Sequence, residues 1–500
     1  MTSVHLRLAP LAIACATAFT PLSAAEIEPG LRTTAMQAGT VDTLIVLTAK
    51  APKHLLRTDG TYLERRRNLV DTLRATADVT QAELRAWLDA QGVAYRPFWI
   101  VNMIEAALTP AQLDALALRE DVAKVESNRA FSLKQPPGPQ PDGQALGELP
   151  AAALAIEWGV NKVRAPLVWA AGFTGQGVVV AGQDTGIRWT HAAIKSKYRG
   201  WNGVSADHNF NWHDAVHDTG SSCGANSLVP CDYHSHGSHT VCTMVGDDGG
   251  SNQVGVAPGA KWIGCRNMNA GAGTPARYNE CAEWFLAPTD LNGSNPDPDR
   301  APDVINNSWG CPVEEGCSAG TEVQEAIENL VAGGIVFVAS AGNDGSSCST
   351  ISSPPATYDA SFTVGSMTSS DTMSGFSSRG PVAGLASVKP DVIAPGSSVR
   401  SITNGSDVAY GSMSGTSMAG PHVAGVVALL MSANPSLRGN PARVEQILRD
   451  TAIPLTSTSQ VCGGIAATTF PNPVQGMGRV DAWNAYLMAT DVIYIDGFDN

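Results

Sequence analysis

Gly411-Ser-Met-Ser-Gly-Thr-Ser-Met-Ala-Gly-Pro-His-Val-Ala-Gly-Val-Val-Ala-Leu-Leu430 is the stretch around which the chain is organised. It opens with small, flexible residues and becomes apolar from Val423, so Ser417 is predicted where a turn becomes the first turn of a buried helix. The N–H groups that open a helix lack intrahelical acceptors, and the helix dipole adds partial positive charge there. An oxyanion beside Ser417 would be stabilised. Taken alone, a serine before a helix is an N-cap. The residues upstream decide between the two readings.

Val178-Val-Val-Ala-Gly-Gln-Asp-Thr-Gly186 reads as a buried strand ending in a carboxylate, Asp184. Strand ends of an open α/β sheet face the ligand crevice. His234-Ser-His-Gly-Ser-His-Thr-Val-Cys-Thr-Met-Val245 sets His236 and His239 at a helix start. Gly334-Ile-Val-Phe-Val-Ala-Ser-Ala-Gly-Asn343 is another buried strand, running out into the amide of Asn343. A lone Asp or Asn in such a place caps a turn. Together Asp184, His236 and Ser417 supply orienter, base and nucleophile, and Asn343 supplies an oxyanion donor. A serine hydroxyl is a weak nucleophile until a neutral imidazole takes its proton, and the carboxylate fixes that imidazole's tautomer.

Around these motifs the chain divides by composition. Residues 41–133 hold no cysteine and read as strand (43–48), long helix (62–90), two hairpin strands (95–100, 103–108), helix (to 118) and strand (122–125). That βαββαβ order predicts a ferredoxin-like α+β sandwich. Residues 134–155, rich in Pro and Gly, form a linker. From about Ile156 to 490, short apolar strands alternate with helices, which predicts a parallel sheet covered on both faces. Strands are expected at 178–182, 262–266, 304–307, 335–340, 362–364 and 392–394, and helices at 236–245, 277–286, 323–332, 417–432 and 444–451.

The three motifs resemble the signatures of subtilisin-like serine proteases: Asp-Thr-Gly at 184–186, His-Gly-Ser-His at 236–239 and Gly-Thr-Ser-Met-Ala-Gly-Pro-His at 415–422. The chain order Asp, His, Ser agrees. Within the family the likeness is to the bacillopeptidase F group, through Thr243-Met-Val-Gly246, residues 254–262, residues 303–310 and Ile393-Ala-Pro-Gly396. The resemblance implies a serine endopeptidase acting on protein or peptide substrates through an acyl-enzyme. It implies that 41–133 is an inhibitor-type propeptide, the enzyme's own intramolecular inhibitor, and that the chain is a self-processing precursor.

By the same resemblance Ser308, Trp309 and Gly310 form one wall of the primary specificity pocket and Ser340, Ala341 and Gly342 the other, with a floor near Ser353. Those walls carry no charge, which favours apolar or aromatic side chains. No cofactor is expected for catalysis. The family's structural calcium is a further expectation, with acidic loops at Asp247-Asp248 and 297–303, but no loop has the twelve-residue EF-hand pattern and no metal ligand is assigned. A monomer is expected. Ser238 replaces the family's usual threonine, and Cys242 stands where a glycine is usual, so Cys242 is read as an unpaired buried thiol.

The totals agree with an exported globular protein. Residues 1–25 read as a signal peptide, with Arg7, an apolar run and small residues before the cleavage site. This places the chain in a secreted or extracytoplasmic setting. A formal net charge of −14 argues against a nucleic-acid partner, and no later stretch approaches the roughly 18 consecutive apolar residues of a membrane span. Of ten cysteines, Cys15 lies in the signal segment, and the remaining nine, all between Cys223 and Cys462, read as disulfides with one left over. Cys311 with Cys317 and Cys223 with Cys231 are close enough to close small loops, while Cys265–Cys281 and Cys348–Cys462 follow only by elimination.

Three rival readings fit less well. A lipase or esterase runs Ser, Asp, His in chain order. A metal module built on the cysteines and histidines between Cys223 and Cys242 matches no zinc spacing. An inactive, binding-only relative is the third. The tail at 491–500 alternates as an edge strand does.

Overall fold

The computed structural model describes residues 25–133, 155–311 and 321–490. The readings of residues 1–24, of the linker 134–154, of Cys317 and of the tail 491–500 therefore lie outside the described residues.

In the N-terminal domain the sheet runs Glu26–Ile27, Val122–Ser127, Val41–Leu47, Met103–Leu108, Tyr95–Phe98. Its central strand, Val41–Leu47, is antiparallel to both neighbours. The βαββαβ order is present with two corrections. The domain begins earlier than residue 41: Glu26–Ile27 pairs in parallel with Val122–Ser127, and helix Leu31–Ala38 buries Leu31 and Ala35. The long helix expected over 62–90 is two helices, Tyr62–Thr80 and Ala82–Ala90. Thr72, Thr76 and Thr80 each turn the hydroxyl back to the carbonyl four residues earlier, a pattern that bends helices. At the joint, Gln81 is fully buried and donates to the Phe98 carbonyl at 2.7 Å and to Asn102 Oδ1 at 2.9 Å. Apolar periodicity does not register such a polar tether.

The second domain is an α/β unit with a seven-stranded parallel sheet in the order Val392–Pro395, Phe362–Met367, Val336–Ser340, Val304–Asn307, Val179–Asp184, Lys261–Arg266, Trp212–Asp214. Six of these strands were legible as apolar runs. Trp212–Asp214 was not, because at the sheet edge it is short and holds two polar residues, His213 and Asp214, beside one apolar residue. It is held there by Asp214, whose carboxylate takes a bidentate pair from buried Arg266 at 2.7 and 2.6 Å. The five expected helices occur at His236–Val245, Pro275–Leu286, Thr321–Ala332, Thr416–Ala433 and Pro441–Asp450.

Helix Thr416–Ala433 is the axis of this domain, buried from Thr416 to Met431. It packs against the sheet and against helix His236–Val245. Val423, Val427 and Leu430 are fully buried, and each such side chain stabilises by about 1.5–3 kcal/mol. Among the described residues it is the one helix long and apolar enough to cross a membrane, and here it is a core helix. Its Pro421 has no N–H to give the Ser417 carbonyl four residues back, and the Ser308 hydroxyl supplies that bond instead at 2.9 Å.

Disulfides join Cys223–Cys231, Cys265–Cys281 and Cys348–Cys462, as expected, and Cys242 is buried and free. Burial pushes the Cys242 thiol up to about 12.

Candidate active site

Each sequence-derived residue stands at the end of a rigid element. Asp184 ends strand Val179–Asp184, His236 begins helix His236–Val245, and Ser417 lies in the first turn of helix Thr416–Ala433. All three are buried, with Ser417 6% exposed. The helix start comes unusually close to the strand end: a Cβ on Gly237 would sit 2.2 Å from the Gly186 carbonyl and 2.9 Å from the Asp184 Cβ, so only glycine fits there.

Asp184 Oδ1 lies 2.7 Å from His236 Nδ1 and accepts from the Thr185 N–H at 2.7 Å. Burial opposes charge on His236, but the Asp184 charge and hydrogen bond, aided by the Asp232 charge, outweigh it and hold the imidazole above its ordinary range. Ser417 Oγ donates to the Ser308 carbonyl at 3.1 Å. Among the described residues no hydrogen bond joins it to His236.

Asn343 Oδ1 accepts from Thr416 N at 2.9 Å and from Thr416 Oγ1 at 3.0 Å. Asn343 also lines the cleft cavity beside Ser417. The expected pocket walls converge with Ser353 on one cavity that also holds Ser417. They brace the nucleophile turn as well: Ser340 Oγ donates to the Thr416 carbonyl at 2.9 Å and Gly342 N to Thr416 Oγ1 at 3.2 Å.

Several participants were not legible beforehand. Asp344 also lines the cavity, so the pocket is not free of charge, and the apolar preference read from the walls left out this carboxylate. Asp232 accepts from His234 N, Ser235 N, Ser238 N and Ser238 Oγ at 2.6–3.1 Å, which shapes the turn into the base-bearing helix. An Asp just ahead of the His motif was the available signal. His239, the second histidine of that motif, packs inward and donates from Nε2 to the Val399 carbonyl at 3.0 Å, and burial pushes it down to about 3.

The end of the chain's own N-terminal domain borders the cleft. Phe131–Ser132 pairs antiparallel with Ala272–Gly273, Leu133 N donates to the Gly271 carbonyl at 2.8 Å, and Ser132 and Leu133 border the cavity beside Ser417. Behind this strand, Glu283 of helix Pro275–Leu286 accepts from Trp99 N and Ile100 N at 2.6 and 3.0 Å, and Asn128 Oδ1 accepts from Ala276 N at 3.0 Å.

Carboxylates of the acidic loops named for calcium make contacts within the protein. Asp248 is taken up by Gly250 N, Asn252 N and Asn252 Nδ2, Asp297 by Arg300, Asp299 by Arg67 and Asp303 by Arg438. No cluster of three or more His, Cys, Asp or Glu positioned for a metal occurs among the described residues.

A parallel α/β sheet with the Asp184–His236 pair at one strand end and Ser417 on the first turn of the core helix is the frame expected of the serine-peptidase class. The chain belongs to the subtilase family, whose model matches residues 175–478. It is 36% identical over 460 residues to bacillopeptidase F of Bacillus subtilis (strain 168), covering 88% of this chain and 30% of that protein. It is 30% identical over 308 residues to subtilisin E of the same organism, covering 60% and 67%. Against M-protease of Shouchella clausii (strain KSM-K16) it is 28% identical over 374 residues, covering 74% and 78%. The chain thus spans less than a third of the length of bacillopeptidase F.

Proposed function

We propose that this chain is a secreted serine endopeptidase, made as a precursor that cuts itself and is then held inactive by its N-terminal domain. The observation that carries this reading is the strand Phe131–Ser132, paired with Ala272–Gly273 and bordering the cavity of Ser417 with Leu133, as an extended substrate would. The three disulfides support an oxidising, extracytoplasmic setting.

In the proposed reaction Ser417 Oγ attacks the scissile carbonyl carbon while His236 Nε2 takes its proton. Negative charge on the carbonyl oxygen is met by Asn343 Nδ2 and the Ser417 N–H. The C–N bond then breaks as His236 returns the proton to the leaving amine, and water, deprotonated by the same imidazole, hydrolyses the acyl-enzyme. Asp184 holds Nδ1 protonated throughout. Ser308, Trp309, Gly310, Ser340, Ala341 and Gly342 receive the side chain before the scissile bond.

Expression of residues 26–500 with and without Ser417→Ala tests the precursor reading. The wild-type chain should yield two fragments with a new N-terminus in the segment after Leu133, and the alanine variant should stay whole. A full-length wild-type chain that digests casein, or a purified alanine variant cut at the same place, rules out self-processing.

Catalysis needs His236 neutral, and its pKa is raised. The proton therefore persists to higher pH than on an ordinary histidine, and activity falls as pH drops through the raised value. The acid limb of kcat/KM should lie above about 6.5. A limb at or below the ordinary histidine value contradicts this picture of Asp184 and His236.

A further inference from the structure

Helix Tyr62–Thr80 buries Arg66, Leu69, Val70, Leu73 and Ala77, so an arginine occupies a position of the apolar stripe that packs on the catalytic domain. Arg66 is 2% exposed. Its Nε donates to the Gly333 carbonyl at 2.6 Å and its Nη1 to the Pro298 carbonyl at 3.2 Å. Gly333 directly follows helix Thr321–Ala332, so its carbonyl belongs to the negative end of that helix dipole. Tyr62 covers the guanidinium from 5.4 Å and packs on Gly439, where an added Cβ would fall 2.2 Å from the Tyr62 Cβ. None of these catalytic-domain groups lines the cleft cavity.

We propose that the Gly333 and Pro298 carbonyls, floored by Gly439, form an arginine socket on the catalytic domain, separate from the cleft. Its ligand is Arg66 on the chain's own N-terminal helix, and its occupation sets how long the cleaved N-terminal domain stays bound. The second half of this statement rests on the self-processing reading.

A strand in a cleft can be exchanged for substrate, because substrate offers the same backbone bonds. Arg66 offers what a substrate strand does not: a charge-assisted pair with two main-chain carbonyls shielded from water. Dehydrating the guanidinium opposes docking, and burial accordingly lowers the Arg66 pKa, with the Asp303 charge opposing. Once docked, losing Arg66 strands two buried acceptors, and such losses appear mainly in the dissociation rate. Neighbouring Arg67 pairs with Asp299 in an exposed setting, where an ion pair contributes little.

The test uses the full chain carrying Ser417→Ala, which holds both domains whatever the fate of the self-cleavage reading. Hydrogen exchange is followed in segments 293–301 and 330–336 and in strand Val41–Leu47. Adding Arg66→Ala should speed exchange in the two socket segments roughly 30-fold or more, Arg66→Lys by less, and Arg67→Ala hardly at all. Strand Val41–Leu47 should stay protected in all three. Unchanged exchange at 330–336 overturns the socket, and so does a loss of protection that reaches Val41–Leu47, which marks a folding role for Arg66. In the self-cutting chain Arg66→Ala should shorten the lag between cleavage and activity by a similar factor, and an unchanged lag overturns the residence claim. A chain that never cuts itself defeats the precursor reading and leaves the exchange result to decide the socket.

Discussion

Ser417→Ala should remove peptidase activity by about a millionfold, the scale typical when the nucleophile of such a triad is lost, and should abolish labelling by a fluorophosphonate probe. The size of the effect follows from the arrangement. Among the described residues two hydroxyls lie on the N-terminal turn of the core helix and line the cavity, and that of Thr416 is committed to Asn343 Oδ1, which leaves Ser417. The neighbouring hydroxyls are committed elsewhere: Ser308 Oγ donates to the Ser417 carbonyl and Ser340 Oγ to the Thr416 carbonyl, so neither can stand in as nucleophile without breaking the turn. The residual rate reflects binding and the oxyanion donors alone. The fold should survive, because the serine hydroxyl makes one hydrogen bond, to the Ser308 carbonyl. Probe labelling that persists in the folded alanine variant, or turnover within tenfold of wild type, rejects Ser417 as the nucleophile.

Asn343→Ala should lower kcat by about 100- to 1000-fold with little change in KM, as is typical when one preorganised oxyanion donor is removed. Both bonds from Thr416 engage Oδ1, so in the proposed role Nδ2 is the donor. A donor in place needs no reorganisation as charge develops on the oxygen. Its loss is therefore felt in the transition state more than in the bound ground state, which is why kcat and not KM should carry the change. Some loss of stability is also expected, because Thr416 loses an acceptor for its N–H and its hydroxyl. Asn343→Asp separates the two roles: it keeps an acceptor for Thr416 but puts a carboxylate where the donor was. It should retain the fold and lose at least as much turnover. Equal kcat in either variant places the oxyanion donor elsewhere.

The chain's sequence determined the class of site because the chemistry is concentrated in short contiguous motifs. A strand ending at Asp184, a helix beginning at His236 and a Gly-rich turn before Ser417 each declare both a residue and the element that holds it. Apolar runs gave six of the seven parallel strands and all five of the expected helices, since burial on both faces leaves an unbroken hydrophobic signature. The proximity of Cys223 to Cys231 was visible as well.

What only the tertiary structure decided is carried by pairs distant in sequence. The edge strand Trp212–Asp214 depends on Arg266, and the break at Gln81 depends on Phe98 and Asn102. Asp344 reads as an ordinary turn residue until strand Val336–Ser340 delivers it to the cavity. Arg66 is one of three consecutive arginines in the sequence, and only the Gly333 and Pro298 carbonyls that close around it set it apart. Periodicity reports how a residue relates to its own element, whereas a buried polar contact is set by two elements meeting. The partner's position is absent from either local sequence, and only the packed chain supplies it.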